Sequence, residues 1–62
     1  MDGVLEDRLY SVKELSAALG VTAAAIYKWI KGGKFPAGMQ LGVLRRFSGK
    51  DVNAWLEARR VG

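Results

Sequence analysis

The chain has 62 residues and a net charge of +4, and it contains neither cysteine nor histidine. A single domain of that length has a marginal core, burying roughly 60% of its unfolded surface, so packing, helix caps or a partner must supply its stability. Disulfides, the usual zinc sites and the catalysis that needs Cys or His are excluded, so the expectation is a non-enzyme that needs no cofactor and no metal.

Residues 1–9 show neither a period nor a cap and read as a flexible N-terminal arm, leaving 10–62 as the folded domain. The arm begins acidic, with Asp2, Glu6 and Asp7, unlike a signal peptide. No apolar run approaches the ~20 residues of a membrane span. The expected setting is the cytoplasm, associated with the nucleoid and with no membrane.

The first helix is predicted over about Val12 to Leu19. Ser11 can cap it, Glu14 can reach back to the cap, and Tyr10 can staple against Leu15. Val12, Leu15 and Leu19 form its inner stripe, and Gly20 supplies a tight left-handed exit. The second helix follows after a turn made only of Leu19, Gly20, Val21 and Thr22, so the two must cross sharply as in a helix-turn-helix. It spans about Ala23 to Lys31, with Thr22 as cap and a Val21–Ile26 staple. Ile26, Trp29 and Ile30 fall on its inner side, with Ala24, Lys28 and Lys31 opposite and Tyr27 at the edge. Gly32 and Gly33 stop it.

From Lys34 to Phe47 the period changes. Phe35-Pro36 breaks helix, because the residue before proline avoids the α region. Met39–Leu41 and Leu44–Phe47 read as two short strands around a turn at Gly42-Val43, a small wing. The tip, Val43-Leu44, is apolar; it can wedge into a DNA groove, touch a second protomer or fold inward, and the inward reading is preferred. The third helix runs from about Gly49 to Arg60, capped by Ser48, with Val52, Trp55, Leu56 and Arg59 on one face. Trp29, Phe35, Phe47 and Trp55 read as core. The fold class is mainly α with a small β-hairpin: a winged helix-turn-helix of three helices plus a two-stranded wing.

Charge is unevenly spread. Residues 21–50 carry Lys28, Lys31, Lys34, Arg45, Arg46 and Lys50 and no acid, whereas residues 1–20 are net acidic. Such a one-sign block suits a polyanion, though a merely solvated basic face would look the same. If the second helix enters a major groove, Thr22, Ala23 and Ala24 come closest to the bases, followed by Tyr27 and Lys28. Thr22 can cap the helix and also meet a phosphate, or act as cap only. The alanines can touch a thymine methyl but cannot hydrogen-bond a base edge. Tyr27 is either a base reader or an aromatic at the core edge. Lys31 and Lys34 are phosphate contacts or plain surface. Arg45 and Arg46 alternate on a strand, so one of them is expected to face DNA.

The run from Tyr10 to Arg60 resembles the AlpA-like prophage regulators and related excisionases of the MerR-like winged-helix superfamily. The resemblance rests on Tyr10-Ser11-Val12-Lys13-Glu14-Leu15, Leu19-Gly20-Val21, Ile26-Tyr27-Lys28-Trp29-Ile30, Gly33-Lys34-Phe35-Pro36, the Leu41–Phe47 wing and Asp51-Val52-Asn53-Ala54-Trp55-Leu56. It implies a protein that binds double-stranded DNA at prophage or genomic-island loci, as a transcription regulator or as a recombination factor beside an integrase. Ala23-Ala24-Ala25 departs from the polar residues common there, and Phe47 stands where tryptophan is usual. A small DNA module also suggests cooperative binding with further copies of itself. The alternative is a protein-interaction module that uses the same basic face to bind and inhibit another regulatory protein.

Overall fold

The computed structural model describes residues 3–59. Three helices, α1 (Val12–Leu19), α2 (Ala23–Lys31) and α3 (Gly49–Arg59), pack with three strands, β1 (Leu9–Tyr10), β2 (Met39–Leu41) and β3 (Leu44–Ser48). The strands form an antiparallel sheet in the order β1-β3-β2. This is a winged helix-turn-helix, with β2 and β3 as the wing.

The first two helices begin and end where the local chemistry requires. Ser11 Oγ accepts from the Glu14 amide at 3.1 Å, and the Glu14 carboxylate accepts from the Ser11 amide at 2.9 Å, closing a capping box. That backbone bond, with the Arg8 guanidinium 2.8 Å away, holds the Glu14 carboxyl below the usual carboxylate range. Gly20 at φ 69° ends α1, and the amides of Gly20 and Val21 both return to the Ser16 carbonyl. The Ser16 hydroxyl donates to the Val21 carbonyl, so Ser16 ties the turn as well as leaving room between helices. Thr22 Oγ1 caps α2 by accepting from the Ala25 amide at 3.1 Å. At its far end Gly33 takes φ 72°, and the amides of Gly33 and Lys34 return to the Ile30 and Trp29 carbonyls. The cap of α3 is weaker: the Asp51 amide lies 3.4 Å from Ser48 Oγ, and Ser48 itself belongs to β3.

The core consists of Tyr10, Val12, Leu15, Ile26, Phe35, Phe47 and Val52, with Leu19, Val21, Trp29, Ile30, Trp55 and Leu56 packed around it. Phe35 sits at the centre of an aromatic cluster. Its ring centroid lies 4.7 Å from Trp55 and 5.6 Å from Phe47, both edge-on, and 6.2 Å from Trp29. The Trp55 indole N–H donates to the Lys34 carbonyl, pinning the loop after α2 to α3. Of the four expected core aromatics, Phe35 and Phe47 are buried, while Trp29 and Trp55 are half-buried at the margin.

Part of the stretch before α1 is hydrogen-bonded to the rest of the domain: Leu9 and Tyr10 pair with Ser48 and Phe47, placing a third strand on the sheet. Asn53 on α3 accepts from the Val4 amide at 2.9 Å and donates to the Val4 carbonyl at 2.8 Å. The Leu5 amide donates to the Tyr10 hydroxyl at 2.9 Å, and the Gly49 amide donates to the Arg8 carbonyl at 2.8 Å. These bonds satisfy backbone groups that otherwise have no ladder, which is why an aperiodic segment docks. Met1, Asp2 and Arg60 lie outside the described residues.

Gly49 makes the docking testable. A Cβ built there would stand 1.8 Å from the Leu5 carbonyl oxygen. Gly49→Ala gains up to about 1 kcal/mol in helix propensity but costs about 1–3 kcal/mol in overpacking. The expected result is a modest net loss of stability and faster proteolytic nicking between residues 3 and 8. Unchanged nicking would show that the arm does not hold this position.

The wing tip corrects the sequence reading. Val43 is 95% and Leu44 50% exposed, so the tip does not fold inward. Gly42 takes φ 66°, as the first central residue of a two-residue hairpin turn requires, and the short hairpin carries its tip past the core edge.

Candidate nucleic-acid interface

The inner stripe of α2 fixes what the helix shows to solvent. With Ile26 buried and Trp29 and Ile30 half-buried, Ala24, Tyr27, Lys28 and Lys31 are left exposed. Tyr27 is 59% exposed, so it is a surface aromatic and not a core-edge residue. Ala23 is half-buried and packs against the core, which leaves Ala24 as the more accessible of the two early alanines. Thr22 is exposed and its hydroxyl is engaged as the cap. The Ala23 and Ala24 amides beside it have no carbonyl four residues back within the helix to bond, giving this end a positive partial charge.

The remaining sequence-derived residues gather into two concavities. One groove lies between α1, α2 and the wing; Lys13, Tyr27, Arg45 and Arg46 line it, with Ser11 at the α1 end and Val43 and Leu44 at the tip. The other lies at the C-terminal end of α2, where Lys28, Lys31 and Lys34 meet Arg59 of α3. No acidic side chain lines either one among the described residues. Like charges crowded around a concavity focus a positive potential there, which an anion relieves.

Strand alternation separates the two wing arginines less than the sequence suggests. Arg45 pairs with Gln40 across the hairpin and Arg46 with Met39, so their Cβ atoms do point to opposite faces. Both long side chains nevertheless border the groove. Arg45 donates to the Ala37 carbonyl and lies 3.5 Å from Gln40 Oε1, which braces the wing from the loop before it. Arg46 is half-buried and donates to the Arg45 carbonyl at 2.9 Å, leaving most of its donor fork for a ligand.

Two cations at the site escape a sequence reading. Lys13 lies in a net-acidic stretch, so a charge tally hides it; its place in the first turn of α1, after the Ser11 cap, puts it beside the wing. Arg59 reads as a packing residue. Its guanidinium does lie 4.9 Å from the Trp55 ring centroid and 5.9 Å from Trp29, but its exposed position also brings charge to the second concavity. A helical period that places Arg59 one turn beyond Trp55 is the signal that could have found it.

No helix among the described residues is long and apolar enough to cross a membrane, and no cluster of Asp and Glu there could hold a metal ion. No curated protein and no solved structure matches the chain. The model of the helix-turn-helix domain family matches residues 9–60, a span that takes in every helix and strand from β1 to α3. The chain belongs to that family of small DNA-binding helix-turn-helix domains.

Proposed function

We propose that this protein is a sequence-selective DNA-binding protein of the phage or genomic-island type, acting as a transcription regulator or an excisionase. Helix α2 enters the major groove by its N-terminal half, and the wing lies on the adjacent backbone or minor groove. The observation that carries this reading is the acid-free groove beside the exposed face of α2, with Lys13, Arg45 and Arg46 on its walls and Tyr27 at its edge. Thr22 and the first-turn amides of α2 meet a phosphate, Ala23 and Ala24 leave room for thymine methyl groups, and Tyr27 and Lys28 read base edges. Lys31 and Lys34 contact the backbone downstream.

A module of this size buries only about 600–1,000 Å² on DNA, so tight binding calls for several copies bound cooperatively, with an integrase as neighbour at an attachment site. Such a protein works in the cytoplasm on the nucleoid. The test is a gel-shift titration on fragments flanking its own gene and any adjacent integrase gene, repeated at several salt concentrations. With about five phosphate contacts, log K against log salt falls with a slope near −4 to −5. A slope near zero would overturn the electrostatic part of the reading.

A further inference from the structure

The exposed face of α2 opens on side chains that cannot hydrogen-bond. Ala24 is exposed, Ala23 and Ala25 are half-buried and Ile26 is buried, so the first turn of the helix shows solvent nothing but aliphatic surface. Thr22, just before it, holds its side-chain oxygen on the Ala25 amide at 3.1 Å. The next side chains that carry hydrogen-bonding atoms are Tyr27 and Lys28, both exposed, three and four residues beyond Ala24 and on the same face.

We propose that Ala24 reads the 5-methyl group of a pyrimidine in the major groove, and reads that methyl group instead of the identity of the base pair. Thymine and 5-methylcytosine are then accepted alike at that position, and both are preferred over uracil and cytosine. The inference rests on the DNA-binding reading above and deepens it, by naming the chemical group that the leading turn of α2 selects.

In the major groove thymine differs from cytosine in two respects: the methyl group on C5, and the group on C4, an acceptor in thymine and a donor in cytosine. Telling acceptor from donor takes a side chain with polar atoms, which Ala24 lacks. Telling a methyl group from a hydrogen takes only apolar surface to cover it. The Ala24 methyl supplies one side of such a seat, and Tyr27, one turn on along the same face, brings an aromatic ring beside it. Hydrogen bonds from Tyr27 and Lys28 fall about 5.4 Å farther along the helix axis, and so at a different base pair. Covering one methyl group is worth about a fourfold preference.

The test uses the full chain and a duplex recovered by selection from a random library. Each thymine of the footprint is replaced in turn by uracil, which removes the methyl group and nothing else, and then by cytosine and 5-methylcytosine paired with guanine. At one or two positions uracil and cytosine are expected to weaken binding about fourfold, and 5-methylcytosine to restore it. The salt slope stays at its original value throughout, because no phosphate contact changes. Ala24→Gln, at an exposed position and with a good helix former, is expected to keep its thermal melt and to bind the uracil and thymine duplexes equally. Specific binding that no uracil weakens would overturn methyl reading while leaving DNA binding intact. A loss with uracil that 5-methylcytosine does not restore would overturn it too, since hydrogen bonds to the pair would then make the choice. A methyl preference that survives Ala24→Gln would remove the role from Ala24. Failure of the wild type to select any duplex would overturn the DNA-binding reading itself.

Discussion

Replacing Phe47 by alanine is expected to cost about 3–5 kcal/mol, most or all of the stability of so short a chain. Phe47 is fully buried, edge-on to Phe35 and directly across the ladder from Tyr10. Its ring joins β3 to the aromatic cluster, and a Cβ added at Gly38 would already touch that ring. The cavity left by the ring adds to the lost burial. Trp55→Ala should cost somewhat less in burial, since Trp55 is half-buried, but it also leaves the Lys34 carbonyl without its indole donor. Urea denaturation followed by circular dichroism checks both. A Phe47→Ala protein that loses less than about 1 kcal/mol would show that the core is not organised around this residue.

Reversing two charges, Lys28→Glu with Arg46→Glu, should abolish DNA binding without unfolding the protein. Lys28 is exposed, and among the described contacts Arg46 gives the fold only a bond to the neighbouring Arg45 carbonyl. Each charge-assisted contact is worth about 1.5–3 kcal/mol, so losing two weakens binding by about 10²- to 10⁴-fold, before any repulsion from the new carboxylates. Gel shifts at fixed salt, with thermal melts alongside, give the readout. Unchanged DNA binding, combined with loss of an acidic protein partner, would transfer the basic face to the protein-interaction reading. That alternative is motivated by the weak polar readout of Ala23-Ala24-Ala25. The two substitutions sit in different concavities, so single variants also show whether both serve the same strand of DNA.

What could be read from the residues alone was short-range. The Ser11–Glu14 box, the Thr22 cap, Gly20 and Gly33 act within four or five positions, and they set the ends of α1 and α2 as expected. The inner stripes follow from helical spacing, and the turn at Gly42 from the turn's own backbone demand. Once those elements were placed, a winged helix-turn-helix was the arrangement that buried them.

Long-range pairing was not legible. A two-residue strand such as β1 has no period to read, and it forms because Phe47 and Ser48, far along the chain, offer an open edge. Val4 docks because Asn53, 49 residues away in sequence, presents both a donor and an acceptor. Burial at a hairpin tip depends on how far the hairpin outruns the core, so Val43 and Leu44 could not be placed from apolarity alone. The elements, their caps and the basic block are written in the order of the residues. Which cations share a groove is a matter of packing, because it depends on the crossing of α1 and α2 and on the reach of the wing, and neither is a property of any local stretch of chain.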